Sequence, residues 1–404
     1  MIRWITDNLG TAARIKVGAE PYSLLDVRDL VDKSGNPVEL VRAKIEEGAA
    51  AVSSGKTVVV VCDLGVSRSN AIAAGVLART KRIPIESAIK QVMEATKETN
   101  IKLDMANIVR AALTGDERDP SSRSTVLVTG GGGFFGRNLV ERLAGHCQIV
   151  APSRSELDLL ESAVGLDILC RENNVAQIVH LAHPRDYTNN SAMGESLTML
   201  LNVLDVCRVQ NLRLVFPSGG VIYAGYRADK LIVDETVPAM PRGPYGETKY
   251  LQEQLIELAC RQYGLHRTIV RLSPTYGPGS DRPRLIKTFH ELASEGKDIY
   301  THRYLNGPPL LDLLYIDDAV SGLIAAITAP VSGIFHIAPG EGYTTQEIAA
   351  RIRDCVGHGG SILERPISDY VSNVILDSTR ARSALNWQPK IDLEEGLRRT
   401  LGLS

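Results

Sequence analysis

What this chain lacks already narrows its chemistry. Its six cysteines, at positions 62, 147, 170, 207, 260 and 355, stand singly, with no C-x-x-C pair among them. That scatter argues against a zinc centre or a disulfide framework and for a reducing compartment. Neither sign of charge prevails: 45 Lys and Arg stand against 47 Asp and Glu, a formal net charge of −2. So balanced a chain exerts no long-range attraction on nucleic acid or an anionic membrane. No apolar run reaches the roughly 18 residues of a membrane span. The opening MIRWITDNLGTAARIKVG has neither a long apolar core nor a cleavage-like site, so no signal peptide is expected. These absences predict a cytoplasmic protein without metal, nucleic-acid or membrane partners.

What is present is an ordinary α/β composition. A chain of 404 residues, 44% apolar and 23% charged, has material for two or three well-cored domains. LTGDERDPSSRST, residues 113–125, is charged and then rich in Pro and Ser. It reads as a linker. The first domain is placed at 1–115, the linker proper at 116–124 and the second domain at 125–404. In the first, VELVRAKIEEGAAAVSSG has helical apolar spacing, KTVVVVC reads as a buried strand, and NAIAAGVLARTK and IESAIKQVMEAT read as helices. In the second, the strands STVLVTG, CQIVAPS, QIVHLAH and LRLVFPSG alternate with helices such as NLVERLAGH and SLTMLLNVLDVCRVQ. That alternation predicts a doubly wound parallel sheet covered on both faces.

Two motifs in the second domain carry chemistry. VLVTGGGGFFGRNLV sets Gly130, Gly133 and Gly136 at G-x-x-G-x-x-G spacing between a strand and a helix. Glycines there allow a tight turn and close approach to a pyrophosphate, and the helix start offers free N–H groups. GPYGETKYLQEQLIE holds Tyr245 and Lys249 four apart, on one face of a helix. An ammonium near a phenol stabilises the phenolate and makes it a usable acid/base. Ser218 ends a strand, where its hydroxyl is placed to hold a substrate oxygen. Cofactor choice has its own signal. CQIVAPS runs into Arg154, with no acid before Glu156. A guanidinium suits a 2′-phosphate, which predicts NADP, with NAD left open.

Together these stretches resemble the extended short-chain dehydrogenase/reductases, the nucleotide-sugar epimerases, dehydratases and reductases. The resemblance runs over about residues 125–404, through HLAH at 180–183, PSGGVIY at 217–223, RLSPTYGPG at 271–279, LLYIDDAV at 313–320 and LNWQPKIDLEEGLRRTL at 385–401. It implies a Rossmann domain with a smaller C-terminal substrate lobe. It implies Tyr245 as acid/base, Lys249 as its helper and ribose ligand, and Ser218 as ligand of the reacting oxygen. Cofactor contacts are implied at Gly130, Gly133, Phe134, Phe135, Gly136, Arg154, Asp158, Leu159 and Ala182 as well. Leu311 stands where the family has a diphosphate-binding Arg, and Tyr315 where it has His. Arg365 matches a second diphosphate contact, and Arg303 or Arg282 is placed to compensate.

The first domain has a third motif. Cys62 to Arg68 is C-x5-R, with Gly65 inside and Ser69 after, following a buried strand and opening a helix. Loop amides, helix dipole and Arg68 converge on a phosphate and favour a thiolate at Cys62. CDLGVSRS resembles the cysteine-dependent dual-specificity phosphatases. The resemblance implies Cys62 as nucleophile, Arg68 as phosphate ligand and Ser69 as partner of the leaving thiolate. A general acid is expected about thirty residues upstream, at Asp32 in preference to Asp29. Val61 replaces the family's usual His, and Asp63 beside the sulfur opposes ionisation, so a phosphate-binding pseudoenzyme stays open.

The expectation is a bifunctional enzyme: an NADP-dependent reductase, epimerase or dehydratase of a nucleotide sugar or related polyol, fused to a cysteine phosphatase with a phosphorylated substrate. A homodimer is allowed. The rival is a regulatory protein that senses dinucleotide through the second domain and binds a phosphorylated partner through the first. The joint presence of Ser218, Tyr245 and Lys249 speaks against a pure sensor.

Overall fold

The structure, a computed structural model, describes residues 1–18, 21–114, 124–184, 186–187, 189–280 and 282–402. Two compact units form. One comprises Met1–Arg123, Leu157–Asn174 and Asp205–Asn211; the other comprises Ser124–Glu156, Val175–Leu204 and Leu212–Ser404. The expected linker lies, apart from Ser124, outside the described residues. The two short returns to the first unit have no counterpart in the composition and were not expected.

The first unit is built on a four-stranded sheet. Its strands are β1 (Arg3–Thr6), β2 (Leu9–Ala13), β3 (Ser23–Asp26) and β4 (Val58–Cys62), in the order β1-β2-β4-β3. Only β1 runs antiparallel. β4 lies between two parallel neighbours, and all five of its residues are buried, which is why VVVVC has no polar alternation. Helices α1 (Val38–Ser53), α2 (Arg68–Lys81), α3 (Ile85–Thr96) and α4 (Leu103–Thr114) accompany it. α4 was not assigned from sequence, though Leu103, Ala106 and Val109 are buried at helical spacing. Arg110 on this helix is buried and charged because Glu86 and Asp167 meet it at 2.8 and 2.7 Å.

Along the chain follow β5 (Thr125–Thr129), α5 (Phe134–Leu143), β6 (Ile149–Val150), α6 (Ala163–Glu172), β7 (Val175–His180), α7 (Asn190–Gln210), β8 (Arg213–Gly219), β9 (Leu231–Val233), α8 (Gly243–Tyr263) and β10 (Arg267–Leu272). The second unit's sheet has six parallel strands, ordered β6-β5-β7-β8-β10 and then Gly333–Ile337. Strand order reverses between β5 and β7, and in such sheets the crevice beyond the strand ends at that reversal is where ligands bind. β6 keeps only two paired residues of the expected CQIVAPS strand. It is an edge strand, and Pro152 just beyond it has no N–H to extend the ladder.

The C-terminal part adds short two-stranded ribbons, among them Ile299–Arg303 with Ile362–Pro366 and β9 with Val374–Leu376. It has no separate main core. One buried cluster runs from Val126, Val179 and Val270 of the sheet to Ile348, Trp387 and Leu397. Among the described residues no helix is long and apolar enough to cross a membrane.

Candidate functional site

The glycine turn sits at the strand-order reversal. Gly130 leaves β5 with φ +71°, and a Cβ there would lie 2.7 Å from the Ala182 nitrogen. A Cβ on Gly136 would lie 2.2 Å from the Gly130 oxygen. Both positions therefore exclude any side chain, and the backbone folds into a tight cradle. Gly133 is the N-cap of α5 and supplies no side chain to its first N–H groups. Those groups are free to receive an anion, as a pyrophosphate-binding turn requires. Phe134 and Phe135 pack partly into the core, their rings 5.6 Å apart. Thr129 ties the turn to the next strand: its hydroxyl lies 2.9 Å from His180 Nδ1 and accepts from the Ala182 N–H at 3.2 Å. These residues fit a dinucleotide.

α8 delivers the second motif. Pro244 lies in its first turn and Gly264 ends it with φ 67°, so Tyr245 and Lys249 occupy its opening turns. Lys249 is buried, donates to the Pro217 oxygen at 3.0 Å and lies 4.6 Å from the centre of the Phe216 ring. Burial lowers its ammonium to about 8, against the pull of Glu253. Tyr245 does not have the depressed phenol expected from its spacing to Lys249. Burial, aided by Tyr187, pushes it up to about 12. The physical reason is distance: the ammonium lies 6.0 Å from the Tyr245 ring centre and is committed to a backbone oxygen. Tyr245 thus meets neutral pH protonated.

Ser218 is placed differently from expectation. Its buried hydroxyl donates to Glu253 at 2.5 Å. Glu253 also holds Arg271 at 2.7 Å, and Arg271 donates onward to the Tyr223 hydroxyl at 2.6 Å, which faces His336 at 3.1 Å. The serine belongs to this buried polar chain, one helical turn beyond Lys249, and its proton is spoken for. The next residues of the strand end, Gly219 and Gly220, have no hydroxyl to offer.

A residue that the sequence did not flag lies beside Tyr245. The Tyr187 ring stands 4.6 Å from it, tilted by 47°. His183 meets Tyr187 edge-on at 5.5 Å, and the Arg282 guanidinium covers it at 5.4 Å. HPRDYTNN has no spacing that marks this tyrosine; only the tertiary fold does. After β7, Ala182 therefore lies against the glycine turn and Tyr187 against the Tyr245 ring.

The remaining candidates divide. Arg154 is exposed in the turn after β6, where Glu156 bends back to accept from the Ser153 N–H and hydroxyl at 2.8 and 2.7 Å. Asp158 caps its own turn, accepting from the Leu160 N–H at 2.9 Å, and Leu159 is buried; both belong to the first unit. Arg303 and Arg365 share the ribbon of Ile299–Arg303 and Ile362–Pro366. Arg365 stacks on Tyr300 at 3.7 Å and Arg303 reaches Glu364 at 3.8 Å. Leu311 pairs with Tyr343 across a short ribbon, and Tyr315 packs on Tyr276 with ring centres 5.6 Å apart.

The loop of the first unit has the strand–loop–helix form expected. Gly65 has φ +72°, and a Cβ there would meet the Ala13 nitrogen at 2.3 Å. Its N–H donates to Cys62 Sγ at 3.1 Å, and the Ser69 hydroxyl lies 3.4 Å from the sulfur. Burial opposes ionisation of the thiol, but Ser69 and the N–H groups of Ser69, Val66 and Gly65 outweigh it and hold Cys62 below the ordinary range. Asp32 reaches the loop through the Ser67 hydroxyl at 2.5 Å, whereas Asp29 pairs with Lys44 at 3.1 Å. Arg68 is turned to its own neighbours: it holds Asp63 at 2.5 Å and the Leu30 oxygen at 2.9 Å.

Comparison with known proteins agrees with the second unit's geometry. Among curated proteins, the chain is 27% identical over 303 residues to a putative UDP-glucose 4-epimerase of Methanocaldococcus jannaschii, covering 68% of this chain and 97% of that protein. Among solved structures, the Thermus thermophilus UDP-glucose 4-epimerase in complex with NAD is 25% identical, with a TM-score of 0.59 over 69% of this chain and 98% of that one. The fold is also that of RMD from Pseudomonas aeruginosa complexed with NADPH, with a TM-score of 0.58, 20% identity and coverage of 69% and 98%. Residues 126–338 match the model of the NAD dependent epimerase/dehydratase family. With the glycine cradle at the strand-order reversal and the Tyr245/Lys249 helix beside it, the chain belongs to that family.

Proposed function

We propose that the second unit is an NAD(P)-dependent enzyme that epimerises, dehydrates or reduces a nucleotide sugar, with Tyr245 as its proton-handling group. One observation carries this reading. Ala182 lies against the glycine cradle and Tyr187 against Tyr245, so a dinucleotide in the cradle extends towards the phenol. When bound, the dinucleotide supplies the redox chemistry at a sugar carbon. Gly130, Gly136 and the start of α5 hold its pyrophosphate. Lys249 lies deep in the site, where its ammonium is positioned for a ribose hydroxyl. Tyr245 gives a proton to, or takes one from, the sugar oxygen. The exposed Arg154, with Glu156 folded back on Ser153, favours NADP over NAD. The UDP-sugar enzymes among the relatives support a nucleotide sugar as the substrate class.

Turnover of UDP-glucose by the full chain, with NAD and with NADP, tests this directly. Tyr245→Phe removes only the phenolic proton site and is expected to cut the rate by about 10²–10⁴-fold, with dinucleotide binding kept. Wild-type turnover in that variant would refute the assignment.

We further propose that the first unit is a phosphate site of cysteine-phosphatase type, with Cys62 as nucleophile and Asp32 as the acid. The supporting observation is the convergence of Gly65, Val66 and Ser69 donors on one sulfur. A shallow cavity of about 500 Å³, lined by Arg14, Ile15, Arg28 and Asp63, borders the loop at Asp63. A phosphate on Arg68 has to displace the Asp63 carboxylate first.

A further inference from the structure

Tyr187 is half-buried and is itself in neither helix nor strand. Its ring is met by the Tyr245 ring, by the Arg282 guanidinium and, in an edge contact, by His183. A surface ring so fixed over a proton-handling residue is placed for a ligand. The need for such a group is also visible. A sugar oxygen at Tyr245 calls for a second hydrogen-bonding partner to fix its direction, and β8 does not provide one. The Ser218 hydroxyl is committed to Glu253, and Gly219 and Gly220 carry no side chain.

We propose that Tyr187 is the sugar-holding residue of this site: its phenol hydrogen-bonds the reacting sugar oxygen beside Tyr245, and its ring borders the hexose. This rests on the nucleotide-sugar reading above and adds the residue that recognises the glycosyl part. Tyr187 neither gains nor loses a proton in the role; it fixes the oxygen's position while Tyr245 handles the proton. The Arg282 guanidinium, over the Tyr187 ring at 5.4 Å, helps to keep the ring in place.

The test is binding of UDP and of UDP-glucose to the full chain loaded with NAD, by calorimetry, for wild type, Tyr187→Phe and Tyr187→Leu. UDP affinity and melting temperature are expected to be the same in all three. The extra affinity of UDP-glucose over UDP is expected to fall by about 3–10-fold in Tyr187→Phe, one neutral hydrogen bond, and further in Tyr187→Leu. If both variants keep the wild-type ratio, the inference is wrong while the nucleotide-sugar reading stands. Equal wild-type affinity for UDP and UDP-glucose would also overturn it alone. A wild type that binds neither ligand refutes the substrate reading, and the inference with it.

Discussion

Lys249 places a measurable strain on the fold it serves. The residue is 9% exposed, and burial lowers its pKa from the ordinary 10.5 to about 8. At 1.36 kcal/mol per unit, keeping it charged costs the folded state about 3 kcal/mol. Below about pH 8 the folded and unfolded chains both carry the proton and that cost is present in full. Between about 8 and 10.5 only the unfolded chain holds it, so stability rises with pH by about 1.4 kcal/mol per unit. Above 10.5 neither state is protonated and the gain is complete. Lys249→Met has no such proton. It leaves the Pro217 oxygen without its donor, a loss of about 1 kcal/mol that does not change with pH. The stability of wild type relative to Lys249→Met should therefore climb by about 3 kcal/mol from neutral pH to about 10.5, equivalent to roughly 6–12 °C in melting temperature at 2–4 °C per kcal/mol. Parallel melts of the two proteins across that range measure it, since every other titrating group is common to both. A difference that stays flat would show that Lys249 is hydrated or paired in solution and would refute the reasoning.

Three further outcomes are expected. Gly136→Ala should weaken dinucleotide binding more than tenfold, because its Cβ would enter the Gly130 oxygen at 2.2 Å and spread the cradle; a fluorescence titration with wild-type affinity would refute the role. Arg154→Ala should weaken NADP(H) by about tenfold or more, a charged hydrogen bond of roughly 1.5–3 kcal/mol, and NAD(H) little; equal losses would make Arg154 a mere surface residue. Cys62 should alkylate with a pH midpoint below that of an ordinary thiol, about 8.5, since its donors lower the pKa. Cys62→Ser should abolish phosphate release from a small aryl phosphate, and an ordinary midpoint without phosphate release would leave only a phosphate-binding relic.

The strands and helices that place the motifs of both units were legible because their signals are local. VLV within β5 and VVVVC of β4 are continuous apolar runs, and both strands are fully buried between parallel neighbours. Gly130 and Gly136 were legible for the same reason: a backbone that approaches itself closely admits no Cβ, and that requirement is written at the residue. Tyr245 and Lys249 share a helix face by spacing alone. The limits were set where a local signal depends on distant chain. CQIVAPS looks like a full strand, but its place at the sheet edge leaves two residues paired. α5 and α7 begin earlier than their apolar periodicity suggested, at Phe134 and Asn190.

Chemical roles were less legible than positions, and Ser218 and Arg68 show why. Each is the right residue type in the right place along the chain, yet each is held by a carboxylate. Glu253 is 35 residues from Ser218, and no spacing rule connects them. Asp63 is five residues from Arg68, and its charge was anticipated to act on the sulfur. Instead it is drawn to the guanidinium, the stronger local field, at 2.5 Å. Asp63 is held by Arg68, and Ser69, Val66 and Gly65 lower the Cys62 thiol with a valine at position 61. In the phosphate site proposed above, that pairing gives an incoming phosphate a competitor for Arg68. Asp63→Asn should therefore tighten phosphate binding at the loop, and a titration with inorganic phosphate that finds it unchanged would mean that Arg68 does not turn inward when the anion arrives.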